Sequence, residues 1–193
     1  MTQIERHPLQ PFLPPNARLL MLGSFPPPRK RWCMDFFYPN RTNQMWNIFG
    51  LLFFGDADRL VDKNTNTFKQ SDIQSLLEER GIAIYDTACA VRRLSGNASD
   101  KDLEIVEKTD IPALLLQIPH CHDIVCTGQK SFSVFTDDFG VPVPAMGAFN
   151  EFTLASREMR LWRMPSSSRA YPMKLEEKAA YYRQMMQQIG LFD

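Results

Sequence analysis

Four short apolar runs constrain this chain more than any other feature: Arg18–Gly23, Ile82–Asp86, Asp123–Thr127 and Arg160–Met164. Such nearly continuous stretches, bounded by turn residues, read as strands covered on both faces. The segments between them have helical signals. Asn43 to Phe54 carries Met45, Trp46, Ile48, Phe49, Leu52 and Phe53 at helical spacing. Ser71 can cap a helix over 72–80, and Gly81 stops it. Ser99 and Asp102 suit the start of a helix over 100–107, and a further turn or two follows Pro112. Ser131 to Phe139 is apolar-periodic, and Leu175 to Ile189 is a charged, amphipathic closing helix. Strands alternating with helices predict an α/β fold with a parallel sheet covered on both faces. No linker divides the 193 residues, so they read as one domain, 1–193. Residues 1–17 form a proline-rich wrap, and 56–70 are polar and loop-rich.

In sheets of this kind ligands bind beyond the carboxyl ends of the strands. Four clusters follow those ends: Gly23-Ser24-Phe25-Pro26, Asp86-Thr87-Ala88, Gly128-Gln129-Lys130 and Met164-Pro165-Ser166-Ser167-Ser168-Arg169. Parallel strands would bring all four to one edge.

Several chemistries are disfavoured. The first cluster is neither GxGxxG nor GxxxxGKS, so it lacks the glycines that cradle a pyrophosphate. No GxSxG elbow is present. The histidines, His7, His120 and His122, fall in none of the four clusters, which removes the usual general base of a Ser-His mechanism. Cys33, Cys89, Cys121 and Cys126 form no metal-binding spacing and read as free thiols of a reducing cytoplasm. We therefore expect neither a metal nor a cofactor. The formal net charge is zero, so no global field draws the chain to DNA or to a membrane, although local basic patches remain. The first residues lack the apolar core of a signal peptide, and no apolar run approaches the ~20 residues of a membrane span. A cytoplasmic location is the expectation.

What remains is aromatic, amide, hydroxyl and cationic chemistry. Phe25, Phe36, Phe37 and Tyr38 can stack on a flat ring, and Asn40 and Asn43 each offer a donor and an acceptor. Arg29-Lys30-Arg31, Arg92-Arg93, Lys130 and Arg169 can bind phosphates. A flat heterocycle flanked by phosphates is a nucleotide within a nucleic acid. Taken singly, Phe36 and Phe37 read first as core residues and Arg29–Arg31 as a solvated loop, while a turn cap competes with binding for Ser166–Ser168; the conjunction at strand ends raises the functional reading.

The same residues resemble the uracil-DNA glycosylase superfamily. Leu22-Gly-Ser-Phe-Pro26 is similar to the Gly-x-x-Pro motif after that family's first strand. Phe37-Tyr-Pro-Asn-Arg-Thr-Asn-Gln-Met-Trp46 resembles the aromatic–Pro–x–Asn–x–Phe–Trp segment of its mismatch-specific and hypoxanthine-type branches. Gly81-Ile-Ala-Ile-Tyr-Asp-Thr87 is similar to a Gly-Ile-x-Leu-x-Asp strand, and Met164-Pro-Ser-Ser-Ser168 to the late Pro-Ser loop that grips DNA. Together they cover roughly 18–189, in the family's order. The resemblance implies a three-layer α/β/α sandwich around a four-stranded parallel sheet. It implies a monomeric, monofunctional glycosylase that flips a deaminated base, uracil or hypoxanthine, out of DNA and hydrolyses its N-glycosidic bond in base-excision repair.

By the same resemblance, Asn43 takes the catalytic position, orienting a water. Gly23, Ser24, Phe25, Pro26, Phe37, Tyr38 and Asn40 fall in the base-binding segments, and Lys130, Pro165, Ser166, Ser167, Ser168 and Arg169 would hold DNA. Two departures accompany it: Phe25 stands where the most active uracil-specific members carry Asp or Asn, and Met164 where they carry His. Donors to the leaving base would then come from backbone N–H groups at Ser24–Phe25 or from Ser166. The wedge of the Pro-Ser loop falls near Ser168, leaving Arg169 or Tyr171 to fill the vacated stack. Asp86 reads first as a structural residue at the sheet edge. The alternatives are a catalytically weak or inactive DNA binder of this fold, or a nucleoside hydrolase.

Overall fold

A computed structural model describes residues 3–94 and 102–192. In chain order the elements are β1 (Ile4–Arg6), β2 (Leu19–Gly23), a 3-10 turn (Arg29–Arg31), α1 (Met45–Phe54), β3 (Val61–Asp62), β4 (Thr67–Phe68), α2 (Gln70–Arg80) and β5 (Ile82–Asp86). They continue with β6 (Ala88–Arg93), β7 (Leu103–Lys108), α3 (Ile111–Gln117), β8 (Asp123–Cys126), α4 (Gln129–Phe139), β9 (Phe149–Leu154), β10 (Arg157–Arg163) and α5 (Leu175–Ile189).

The central sheet has the order β5-β2-β8-β10-β9. Its first four strands are parallel neighbours, and they contain the four apolar runs. The fifth, β9, pairs antiparallel with β10 and corrects the expected four-stranded sheet. It was illegible because Phe149–Leu154 shows no regular apolar–polar alternation, its two rings falling three residues apart, and because its hairpin turn has no glycine. Ala155 and Ser156 take the left-handed values themselves, φ 51° and 58°, as a two-residue turn between twisted strands requires.

The expected helix over 100–107 is also corrected. Its first residues lie outside the described segments, but Leu103–Lys108 is strand β7. Leu-Glu-Ile-Val-Glu-Lys satisfies a strand as well as a helix, and pairing with β6 decided it. With β1, these strands form a separate antiparallel sheet, β1-β6-β7, that leaves the carboxyl end of β5. The N-terminal wrap is therefore tied down twice: β1 pairs with β6, and Phe12 bridges Ile84.

From β2 the chain crosses to β5 on one side, then back over β2 to β8 and on to β10. Right-handed crossovers then place α1 and α2 on one face and α3 and α4 on the other, and α5 packs beside α1. Leu19, Leu20, Met21, Leu22, Ile124 and Val125 are fully buried between these layers. Each large apolar side chain of this kind contributes about 1.5–3 kcal/mol. The buried carboxylate of Asp123 is satisfied by Arg160 at 2.7 Å and Trp162 Nε1 at 2.6 Å, which fixes β8 against β10. Among the described residues no helix is long and apolar enough to cross a membrane.

Candidate nucleic-acid cleft

Strand register brings the turns together. Gly23 pairs with Asp86, Leu22 with Cys126, and Arg163 with Cys126. Asp86, Gly23, Thr127 and Met164 therefore form a row across the carboxyl edge. Neighbours stand one strand spacing, roughly 4.8 Å, apart.

Residues 24–44 fold over this row. Gly23 and Ser24 are held by Thr87 N–H and Ala88 N–H, which donate to their carbonyls at 2.8 and 3.2 Å. Phe25, 7 % exposed, packs with Ala88, Val91 and Leu103. Phe37, 4 % exposed, packs against Phe36 and Tyr85. Both rings are thus engaged inside the protein. Pro26 is buried, and its carbonyl accepts from Arg93 at 2.6 Å. Tyr38 crosses to the β8 turn, where its hydroxyl meets Thr127 Oγ1 at 2.8 Å. Burial holds its phenol well above the ordinary value, so it remains neutral. Its φ of 50° is rare for a bulky residue. Strain of this kind persists where surrounding contacts over-determine the conformation, and it clusters at functional sites.

Asn40 accepts from the Thr42 N–H and hydroxyl, both at 3.0 Å, in a tight turn. Asn43 Oδ1 accepts from Met45 N–H at 2.8 Å, closing a tight turn that leads into α1. One lone pair of that carbonyl and the whole NH2 group take no partner among the described residues. The Asn43 backbone bridges Ser168, and Gln44 N–H donates to Ser167 O at 2.8 Å. The amide of residue 43 and the triple-serine turn therefore adjoin, although more than half the chain separates them.

Within that turn, Ser166 Oγ accepts from Ser168 N–H and Ser168 Oγ from Ala170 N–H, each at 3.2 Å. Pro165 O accepts from the buried Tyr182 hydroxyl, and Ser167 is almost fully buried. Arg169 is exposed, and Tyr171 N–H donates to Ser168 O at 3.1 Å.

Sequence reasoning missed one part of the site. His7 does reach a strand end: its Nε2 meets Asp86 Oδ2 at 2.8 Å, with side-chain exposures of 2 % and 10 %. Its Nδ1 contacts the Leu9 peptide. The ring is walled by Tyr85 at 4.6 Å, Phe25 at 5.3 Å and Phe37 at 6.1 Å. The other carboxylate oxygen, Asp86 Oδ1, takes no hydrogen bond among the described residues. It lies over Gly23, where an added Cβ would stand 2.2 Å away. Gly23→Ala is expected to displace this carboxylate and lower stability by about 1–3 kcal/mol, read from the urea midpoint.

The cations divide cleanly. Arg29, Arg92 and Arg93 pair with Asp35, Glu104 and Glu5. The side chains of Lys30, Arg31, Lys130, Arg169 and Lys174 make no hydrogen bond or ion pair among the described residues. All five sit on segments that leave the carboxyl edge of the sheet, two after β2, one in the first turn of α4 and two after β10.

No family model matches the sequence, and no curated protein matches it. Among solved structures, the fold is similar to the solution NMR structure of a candidate uracil DNA glycosylase from Methanosarcina acetivorans. The TM-score is 0.65 at 19% identity, over 97% of this chain and 99% of that one. The likeness shows a shared mixed α/β fold along essentially the whole length.

Proposed function

We propose that this chain is a monofunctional DNA glycosylase that hydrolyses the N-glycosidic bond of a deaminated base rotated out of DNA. The observation that carries the reading is the pairing of Asn43–Gln44 with Ser167–Ser168 at the edge that also holds Gly23 and Asp86. The similar fold of the Methanosarcina protein, itself described as a candidate uracil DNA glycosylase, agrees with it.

The chemistry follows from the groups available. Breaking the bond leaves positive charge on the sugar and negative charge on the base, so catalysis rests on positioning and electrostatics. The free lone pair of Asn43 Oδ1 orients a water at the sugar carbon. An amide cannot take the water's proton as a carboxylate does, so turnover is slow. The Ser166 hydroxyl and backbone N–H groups donate to the leaving base. A carboxylate offers hydrogen-bond acceptors only, and Asp86 Oδ1 is the one turned away from His7. It suits a base whose ring nitrogen carries hydrogen, as in uracil and hypoxanthine, where cytosine and adenine present a lone pair. His7 holds that carboxylate in place. Deaminated bases sit in weakened pairs, which lowers the cost of extrusion.

The unpaired cations supply the DNA backbone contacts. Lys130→Ala and Arg169→Ala are each expected to weaken binding evenly across sequences and to reduce the salt slope of log K by about 1, measured by fluorescence anisotropy between low and high salt. The decisive assay is a panel of oligonucleotides with uracil, hypoxanthine, xanthine or thymine opposite guanine, scored for abasic sites. We expect release from the first two without added metal. A second reading, a binder without hydrolysis, draws on the bond from Met45 N–H that occupies part of Asn43 Oδ1. Tight binding of uracil-containing DNA with no base release over hours would select it. Activity on free nucleosides with none on DNA would exclude both.

A further inference from the structure

We infer that Lys178 is a positioning residue that sets Asn43 against the DNA-gripping turn, an inference that rests on the glycosylase reading for its activity arm. Lys178, in the first turns of α5, is fully buried. Burial pushes its ammonium below the ordinary lysine value. Buried ammonium groups are ordinarily paired, because desolvation of an unpaired charge is costly. Here no carboxylate pairs with it among the described residues. Its Nζ donates instead to Gln44 Oε1 at 2.8 Å and to Ser168 O at 2.7 Å, with the Tyr171 ring 5.7 Å away.

Those two acceptors belong to the two adjoining segments, 43–44 and 167–168, at the carboxyl edge of the sheet. Gln44 follows Asn43 directly and is the N-terminal flanking residue of α1. Ser168 ends the triple-serine turn and bridges Asn43. The backbone bond from Gln44 N–H to Ser167 O joins the same loops. One side chain from a third element thus clamps the junction, and a shorter or apolar residue cannot span both acceptors. A core position that only needed filling would take Met or Leu at lower desolvation cost. DNA docking on Ser166–Arg169 presses on the same junction, so the clamp links backbone contact to the placement of the Asn43 amide.

The test uses the full chain with Lys178→Met, which keeps the unbranched stem and removes all donors, and Gln44→Leu, which removes one acceptor. Single-turnover base release from a uracil-containing duplex is expected to fall roughly 10- to 100-fold in each, the scale of an ångström-level misplacement. Affinity for an abasic product duplex is expected to change less than about threefold, because the DNA-contacting side chains remain. The double variant is expected to be no slower than the slower single, since both changes break one unit. Additive losses, or weaker binding at an unchanged rate, would overturn the inference. If Lys178→Met does not fold, Gln44→Leu carries the rate and affinity test alone. A second readout needs no catalysis: hydrogen exchange at the Gln44 amide is expected to quicken about tenfold or more in Lys178→Met, with the β2 and β8 amides unchanged. Unaltered Gln44 protection would refute the clamp. If the wild-type protein releases no base, the glycosylase reading fails while the exchange measurement still decides the clamp.

Discussion

Asn43→Ala is expected to reduce base release by about 10²–10³, the usual cost of deleting one well-placed polar group at a reacting centre. The measurement is single-turnover cleavage at the abasic product. The same change removes a turn bond ahead of α1, because Asn43 Oδ1 accepts from Met45 N–H. Alanine should therefore also cost about 0.5–1.5 kcal/mol in stability, read from urea denaturation. The two effects separate with Asn43→Asp. A carboxylate keeps the acceptor, so stability should return, and it can also take the proton of an attacking water, so the rate should exceed that of alanine. Asn43→Ala with wild-type rate and a wild-type denaturation curve would remove the catalytic assignment. An alanine variant whose entire loss is recovered by lowering the temperature would reduce Asn43 to a structural turn residue.

The second large effect lies at the buried pair of His7 and Asp86. Asp86→Ala leaves the His7 Nε2 position facing Phe25, Phe37 and Tyr85 without its acceptor. Leaving a buried donor unsatisfied costs about 1–3 kcal/mol. Asp86→Asn is the more informative change, because it keeps the shape and the His7 contact. Its amide presents either a carbonyl or an NH2 group to the base, so a ring N–H is no longer favoured over a lone pair. The preference for uracil over cytosine is expected to fall at least about tenfold, well within what sites built around a buried hydrogen bond can discriminate. Relative single-turnover rates on matched oligonucleotides measure it. Equal losses on every base would assign Asp86 a structural role at the sheet edge. His7→Phe should reproduce part of the selectivity change, since His7 acts on the base only through Asp86.

The periodic elements were legible because their signals are local. Gly81 terminates α2 at a left-handed φ of 67°, and its C-cap N–H bonds back to the last carbonyls, as the Gly after a charged helix suggested. Leu175–Ile189 forms α5 with the expected limits. The β9 strand and the β6–β7 pair were not legible. Each is short, half-exposed and decided by its partner rather than by its own residues. Pattern reading also placed the four strand-end turns on one edge, because parallel strands share their direction. It did not find the His7–Asp86 contact, which depends on how a proline-rich wrap returns to β5. Core packing of Phe36 and Phe37 agrees with the sequence reading, whereas the pattern gives no sign that Phe25 is packed so fully, since an aromatic residue after a strand serves a core or a ligand surface equally well.

By itself the sequence determined an alternating α/β chain with its polar turns at the carboxyl edge, because strand burial and helix periodicity are written in neighbouring residues. Only the tertiary structure decided which distant groups meet there. Asn43 beside Ser168, His7 on Asp86 and Lys178 on Gln44 are contacts between segments far apart in the chain. Their pairing is set by strand order and by the packing of α5, and no local propensity encodes either.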